Sequence, residues 1–87
     1  MLTGKRRKQL RAVAQNLKPL IQIGKNGVNG AAIRNIDRAL KDHELVKIKF
    51  ISHREEKKEL ANTILQRTGA TLIDIRGNTL TIYRENA

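Results

Sequence analysis

Two glycines three residues apart stand between an apolar run and the start of an amphipathic helical pattern. The run Leu20–Ile23 leads into Gly24-Lys25-Asn26-Gly27, and helical periodicity begins at Asn29. This order predicts a strand, a glycine loop and a helix N-terminus, where free main-chain amides and the helix dipole favour an anion. Glycine has no Cβ, so the main chain can approach a ligand closely and adopt a positive φ. Because GxxG spacing also occurs in ordinary turns, other features must decide between an anion-binding loop and a plain turn.

The charge of the chain is strongly positive and unevenly distributed. The 87 residues include 18 Lys and Arg against 8 Asp and Glu, which gives a formal net charge of +10. Residues 1–54 hold thirteen of these basic residues and three of the acidic ones, whereas residues 55–87 are balanced. A basic excess of this size is typical of a protein that binds a polyanion. The glycine loop lies in the basic part, which favours the anion-binding interpretation.

Length and composition exclude several classes. A chain of 87 residues predicts one domain, residues 1–87. The sequence has no cysteine, which excludes disulfides, thiol nucleophiles and zinc fingers and fits a reducing cytoplasm. No apolar run is long enough to cross a bilayer, so we expect no membrane partner. The basic N-terminal cluster lacks the apolar segment of a secretory signal, and it lacks the serines of a mitochondrial presequence.

Apolar periodicity predicts two helices and two strands in the first part of the chain. A first helix over residues 3–16 ends before Pro19, and its core face is predicted to hold Leu10, Val13, Ala14 and Leu17. After the strand at residues 20–23 and the glycine loop, a second helix begins with Asn29 as its N-cap, and its buried stripe is Ala32, Ile33, Ile36, Ala39 and Leu40. Alternation then predicts a strand whose buried positions are Val46, Ile48 and Phe50.

The second part of the chain predicts a helix and a hairpin. Ser52 and Glu55 have the spacing of a capping box, and Gly69 is placed to end the helix that they would open. The core stripe of this helix is Leu60, Ala61, Ile64 and Leu65. Residues 71–76 and 79–84 flank Gly77-Asn78, which predicts a two-residue hairpin turn.

Pairing within the hairpin follows from its turn. If Arg76 pairs with Thr79, one face carries the pairs Ile75–Leu80 and Ile73–Ile82, and the other carries Asp74–Thr81 and Leu72–Tyr83. The predicted order is therefore α-β-α-β-α-β-β. Amphipathic helices and one-sided strands predict a single α/β domain with a mixed four-stranded sheet, one face of which is partly open to water.

A basic stripe follows the glycine loop on the predicted second helix. Arg34, Arg38 and Lys41 lie together on the side opposite the apolar stripe. Asp37 stands one turn from two of them, so a solvated ion-pair face is the alternative interpretation. Beside Lys25 and the basic half of the chain, we interpret the stripe as a continuation of the loop surface. Lys47 and Lys49 project from one face of a strand and extend the candidate patch.

Aromatic side chains that could stack on bases are almost absent. Phe50 falls on the buried side of its strand, and Tyr83 is the one candidate for the open sheet face. Binding to nucleic acid is therefore expected to depend on phosphates and backbone shape, with weak sequence readout. This expectation favours folded RNA over an unstructured strand.

Enzymatic chemistry finds little support in the sequence. His43 and His53 have no nucleophile or acidic partner at an informative spacing, so we interpret each as a cap or surface histidine. Glu55 and Glu59 share a helix face, but beside lysines such a pair is typical of a solvated surface. The glycine patterns of the common nucleotide-binding loops are absent. We therefore expect no catalytic residue, no metal and no cofactor.

Several separated motifs together resemble the CRM domain (chloroplast RNA splicing and ribosome maturation), and are nearest to its stand-alone bacterial form, the YhbY family. The resemblance spans nearly the whole chain, and the motifs are Leu17-Lys18-Pro19, Ile23-Gly24-Lys25-Asn26-Gly27, His43-Glu44-Leu45-Val46-Lys47-Ile48-Lys49, Thr68-Gly69-Ala70 and Leu80-Thr81-Ile82-Tyr83-Arg84. It implies a fold like the C-terminal domain of translation initiation factor three. It also implies binding of structured RNA through the GxxG loop and association with precursors of the large ribosomal subunit.

The combined prediction is a monomeric, cytoplasmic RNA-binding protein that helps ribosomal RNA of the large subunit to fold or assemble. The resemblance supports Gly24, Lys25, Asn26 and Gly27 as the loop, whereas the helical stripe depends on spacing alone. Three alternatives remain: a permanent ribosomal protein, a nucleic-acid-binding regulator of the DNA-binding type, and a small nuclease. No helix-turn-helix spacing supports the regulator, and no carboxylate or histidine cluster supports the nuclease.

Overall fold

The computed structural model describes residues 2–86 and contains the predicted order of elements. The three helices are α1 (Gly4–Ala14), α2 (Gly30–His43) and α3 (Lys57–Thr68), and the four strands are β1 (Ile21–Ile23), β2 (Leu45–Phe50), β3 (Thr71–Arg76) and β4 (Thr79–Tyr83). A short 3-10 helix, Arg54–Glu56, precedes α3. The two ends of the predicted domain, residues 1 and 87, lie outside the described residues.

The strands form one mixed sheet in the order β1-β2-β4-β3. β1 and β2 are parallel, whereas β4 is antiparallel to both β2 and β3. The predicted α/β architecture with a mixed four-stranded sheet is therefore confirmed. The glycine loop after β1 and the turn between β3 and β4 lie at the same end of the sheet, because the Phe50 amide at the end of β2 donates to the Asn78 carbonyl at 2.8 Å.

The main core lies between the sheet and the helices α2 and α3. Its buried members are Ile23, Ile33, Ile36, Leu40, Val46, Ile48, Phe50, Ala61, Ile64, Leu80 and Ile82. The predicted apolar stripes supply this core from each element, since burial of apolar surface is the main force that fixes their orientation. Gly69 ends α3 as predicted, in the left-handed conformation with φ 73°.

A second, smaller core lies on the opposite face of the sheet, under α1. Leu10 and Ala14 of α1 pack there against Leu45, Ile73 and Tyr83. The prediction for the first helix was partly wrong, because α1 ends at Ala14 and leaves Val13 53% exposed and Leu17 38% exposed. Of the four residues predicted for the core face of this helix, only Leu10 and Ala14 are buried against the sheet.

The register of the hairpin matches the prediction only near its turn. Arg76 pairs with Thr79, and the next two predicted pairs, Ile75–Leu80 and Asp74–Thr81, also form. A register shift between Leu72 and Asp74 then places Leu72 opposite Ile82. The predicted pairs Ile73–Ile82 and Leu72–Tyr83 are therefore wrong. The shift inserts Ile73 as an extra residue, which lets its side chain enter the core under α1.

The predicted capping box at the start of the third helix is also wrong. His53 precedes the 3-10 helix in a left-handed conformation, φ 59° and ψ 35°, and no side chain caps that helix. The Ser52 amide instead donates to the Ile23 carbonyl at 3.1 Å. The segment after β2 is thus held against the end of β1, beside the glycine loop.

Candidate nucleic-acid interface

The glycine loop is a hydrogen-bonded β-turn. The Gly27 amide donates to the Gly24 carbonyl at 3.0 Å, and among the loop residues only Gly27 has a positive φ, of 65°. A glycine at the last position of such a turn is common, because the chain must change direction there. Gly24 differs, since its φ is not positive and a Cβ built on it would meet no atom within 4 Å. Neither packing nor conformation within the chain requires glycine at position 24.

His53, which the sequence indicates to be a cap or surface residue, contacts the glycine loop. The His53 Nε2 atom lies 2.8 Å from the Lys25 carbonyl oxygen, and the ring lies 3.6 Å from where a Gly27 Cβ would be. The Ile51 and Ser52 amides both donate to the Ile23 carbonyl. These main-chain hydrogen bonds hold the segment that contains His53 beside the loop. Sequence reasoning did not detect this contact, because the left-handed conformation of a histidine has no sequence signature.

The N-terminus of α2 opens directly beside the loop. Asn29 caps the helix as predicted, with its side-chain oxygen accepting from the Ala32 amide at 2.8 Å. The first turn contains no acidic residue, so the positive end of the helix dipole is not neutralised within the helix. A shallow cleft of about 250 Å³ lies between the loop and this turn, and Asn29, Ala31 and Asn35 line its helical side.

The predicted basic stripe on α2 is present on the surface, but its three members differ. Arg34, Arg38 and Lys41 are all exposed. The Lys41 ammonium lies 3.5 Å from Asp37, whereas Arg34 and Arg38 belong to none of the three ion pairs within residues 2–86. The Arg34 guanidinium lies back over the first turn, 3.4 Å from the position of a Gly30 Cβ. It therefore adds positive charge at the helix N-terminus.

Asp37 has a structural partner that the sequence did not reveal. Its carboxylate accepts from Arg84 Nη1 at 2.6 Å, and the same nitrogen donates to the Thr68 carbonyl at 2.7 Å. Arg84 thus joins α2, the end of α3 and the segment after β4. This hydrogen bond from Arg84 lowers the pKa of Asp37 below its ordinary value of 3.8, against the opposing effect of desolvation and with the added attraction of Arg84 and Lys41.

Lys47 and Lys49 lie on the sheet face opposite α2, away from the stripe. The Lys47 ammonium donates to the carbonyls of Ala14 and Leu17, each at 3.1 Å. These bonds satisfy carbonyl groups at the C-terminal end of α1 and just beyond it. Lys49 is exposed on the same face. We call Gly24–Gly27 with Arg34, Arg38 and Lys41 the loop surface. The structure brings the predicted residues to two surfaces rather than one.

Tyr83 is not a stacking platform on the open face, contrary to the sequence interpretation. It is 9% exposed and belongs to the core under α1, and the Arg6 guanidinium carbon lies 5.8 Å from its ring centroid. The prediction failed because the register shift at Ile73 and the position of α1 depend on tertiary packing. Phe50, at 2% exposed, is buried as predicted.

Residues 2–86 contain no group of three or more His, Cys, Asp or Glu side chains placed to hold a metal ion. Within the same residues, no helix combines the length and apolar character that a membrane span requires.

The fold and the loop together define a small α/β domain whose most prominent surface feature is a main-chain turn at a helix N-terminus within a basic region. Comparison with protein families gives this class its name. The CRS1/YhbY (CRM) domain model matches residues 2–84, and the chain belongs to this family.

Individual relatives agree with the family assignment. The chain is 38% identical over 87 residues to the Probable RNA-binding protein YqeI of Bacillus subtilis (strain 168), covering 99% of this chain and 91% of that protein. It is 33% identical over 84 residues to an RNA-binding protein of Haemophilus influenzae, covering 95% and 85% of the two chains. The solution structure of the hypothetical protein SAV1595 from Staphylococcus aureus has a TM-score of 0.85 and 41% identity, and the match covers 100% of this chain and 92% of that one.

Proposed function

We propose that this protein binds structured ribosomal RNA by holding phosphates on the loop surface. The main-chain amides of Gly24, Lys25 and Asn26, the Lys25 ammonium and the N-terminus of α2 form the central contact, whereas the Gly27 amide closes the turn. Arg34, Arg38 and Lys41 follow the RNA backbone along the helix. The names of the relatives as RNA-binding proteins support RNA as the ligand.

The open position at Gly24 carries this proposal. A side chain would fit there without contacting any atom of the protein and without a conformational penalty. Glycine at this position, beside a helix N-terminus, leaves room for a ligand to approach the main chain closely. The adjacent helix N-terminus, with no acidic residue in its first turn, makes a phosphate the ligand of matching charge.

The burial of Phe50 and Tyr83 supports recognition of shape. Both Phe50 and Tyr83 are buried, so neither of these two rings is available to stack on an unpaired base. Phosphate contacts position a protein on RNA but carry no base identity. A ligand whose phosphates are already arranged in space, such as a folded RNA, suits this surface.

The biological role is proposed from the resemblance to the CRM family. We infer that the protein acts as a cytoplasmic monomer on precursors of the large ribosomal subunit, helping their RNA to fold or assemble, and not as an enzyme. Crosslinking in growing cells followed by sequencing of the RNA adducts tests the ligand. Gradient sedimentation tests the role, since an assembly factor leaves before mature 70S particles form, and persistence on 70S particles would instead indicate a permanent ribosomal protein.

The loop is tested by Gly24→Asp, which introduces a carboxylate where a phosphate would approach. Gly4→Asp is the matched control, because Gly4 also has open space and no positive φ but begins α1, which packs on the other sheet face from α2. We expect Gly24→Asp to lose most of its affinity for a folded ribosomal RNA fragment and Gly4→Asp to retain it, with both circular dichroism spectra unchanged. Wild-type binding by a folded Gly24→Asp variant would show that the loop is not the contact.

A further inference from the structure

The sheet face under α1 is only half covered. α1 packs over the end that carries Leu45, Ile73 and Tyr83, and it stops at Ala14. The uncovered part forms a cleft of about 230 Å³ against the last turn of α1. We call it the sheet-face cleft, and its polar lining includes Arg11, Lys47, Asp74, Arg76, Thr79 and Thr81.

Strand register brings polar side chains together on this face. Lys49 pairs with Gln22 of β1 on one side and with Thr79 of β4 on the other, and Thr79 pairs with Arg76 of β3. Paired residues project to the same face, so these four side chains form a row across the whole sheet. The row ends at Gln22, two residues before Gly24.

A second row lies one step further from the loop and forms the floor of the cleft. Thr81 pairs with Lys47 on one side and with Asp74 on the other. Asp74 accepts from Arg76 Nε at 2.9 Å, which partly neutralises both groups. Arg11 and Lys47 remain as two further cations, so the lining has a net positive charge.

Arg11 supplies the second observation on this cleft. Its Nε atom is buried and has no hydrogen-bond partner, and it is the one buried side-chain nitrogen or oxygen within residues 2–86 left in this state. Burying a donor without a partner is unfavourable, so such atoms in folded proteins call for a water, an ion or a ligand. Lys47 donates one bond to the Ala14 carbonyl at the end of α1 and one to the Leu17 carbonyl beyond it, and it retains a third donor.

We infer that the sheet-face cleft is a second phosphate-binding site, and that it holds a phosphodiester of the same RNA that the loop surface binds. The inference rests on the proposed function. Guanidinium, ammonium and hydroxyl donors together match the oxygens of a phosphate, and no aromatic ring is present for a base. The row from Arg76 to Gln22 connects the cleft to the loop, so one RNA backbone can extend from the loop surface onto the open sheet face.

The direct test follows the Arg11 Nε–Hε resonance by NMR in the intact protein. Inorganic phosphate is added in one titration and a folded ribosomal RNA fragment in another. We expect the resonance to shift in both, because each ligand offers an oxygen to the same donor. A shift with inorganic phosphate alone would mean that the cleft takes free phosphate, and would overturn the RNA assignment. No shift with either ligand would overturn the site itself.

Variants test the contribution of the cleft to RNA binding. Arg11→Gln removes the buried donor, and Arg76→Gln is a second variant at an exposed position where folding is not at risk. Arg67→Gln on α3 is the matched control, since it makes the same change at an exposed position on a helix that packs against the other sheet face. We expect each cleft variant to reduce the steepness of the log–log dependence of RNA affinity on salt by about 0.7 to 0.9, and the control to leave it unchanged.

The two proposals fail in different ways. If Arg11→Gln and Arg76→Gln bind RNA with the wild-type affinity and salt dependence while Gly24→Asp does not bind, the second site is refuted and the loop surface stands. If the cleft variants lose affinity while Gly24→Asp binds normally, the cleft stands and the loop surface is refuted.

Discussion

Gly24 and Gly27 are glycine for different physical reasons. Gly27 has a φ of 65°, where an L side chain is strained, whereas Gly24 has open space and no positive φ. Gly27→Ala is therefore expected to lower the free energy of unfolding by about 1 to 2 kcal/mol, and Gly24→Ala to leave it nearly unchanged. Urea denaturation of the two variants measures this difference.

The effect of Gly24→Ala on RNA affinity is a separate prediction. A methyl group on Gly24 stands where the ligand approaches, so Gly24→Ala should weaken binding although it is as stable as wild type. If Gly24→Ala bound RNA normally, close approach to the main chain at this position would be refuted.

His53 is expected to hold the loop in its binding conformation. Asparagine tolerates the left-handed conformation, so His53→Asn keeps the backbone of this residue while removing the ring beside Lys25 and Gly27. The loop amides should then exchange with solvent faster, with reduced RNA affinity and a thermal midpoint close to wild type. Unchanged amide exchange at Lys25–Gly27 would show that the loop holds its shape without His53.

Residue-level prediction from the sequence succeeded where a local rule applied. Asn29 as an N-cap and Gly69 as a helix end follow from short-range hydrogen bonding, and both are confirmed. The Ser52–Glu55 capping box obeyed the same kind of rule and failed, because main-chain pairing of the Ser52 amide with β1 took precedence. A tertiary contact can override a local preference of about 1 kcal/mol.

At the scale of elements, Tyr83 belongs to the packing of α1. Tyr83→Ala removes a buried ring from the small core and should lower the free energy of unfolding by about 3 kcal/mol. The RNA affinity of the folded fraction should be unaffected, because the ring does not reach a binding surface. Urea denaturation and RNA titration together measure both effects. A stable variant with a selective loss of affinity for an unstructured strand would instead identify Tyr83 as a base-stacking residue.

The order of elements was predictable because apolar periodicity recurs in each segment. The hairpin register near Gly77-Asn78 was predictable from the turn, and it failed beyond Asp74, where Ile73 is inserted. Side chains still alternate between the two sheet faces on each side of an inserted residue, so the sequence does not show the insertion. Only the packing of the strand against its neighbours reveals it. The exposure of Val13 also depends on tertiary packing, since α1 contacts the sheet with a narrower face than its apolar residues predict.

At the scale of the whole molecule, Arg84 and Asp37 connect α2, α3 and the segment after β4. Because the pKa of Asp37 is lowered in the folded state, its carboxylate adds stability above its ordinary pKa of 3.8, and this stability is lost as the pH falls through the lower folded-state pKa. The difference in stability between wild type and Asp37→Asn should be constant at neutral pH and shrink in acid. Denaturation across this range measures it, and a difference that grows in acid would contradict the assignment.

The excess of basic residues in the first part of the chain could be read from the sequence, but the arrangement of those residues on the surface could not. Most of the basic residues of 1–54 fall on the loop surface, on α1 and on the open sheet face, because Lys47 and Lys49 point away from α2. Spacing within one element fixes which side chains share a face, whereas the relation between faces depends on sheet order and on where α1 packs. For this reason the candidate site was predicted as one patch.

The salt dependence of RNA affinity tests the central claim most directly. If Lys25, Arg34, Arg38, Lys41 and one or two further cations each neutralise a phosphate, about five or six contacts give a log–log slope of about −4 to −5 for a folded ribosomal RNA fragment. Arg34→Glu with Arg38→Glu should make the slope shallower and weaken folded RNAs of different sequence by a similar factor. A slope near zero for the wild-type protein, or a loss restricted to one sequence, would contradict phosphate binding as the basis of recognition.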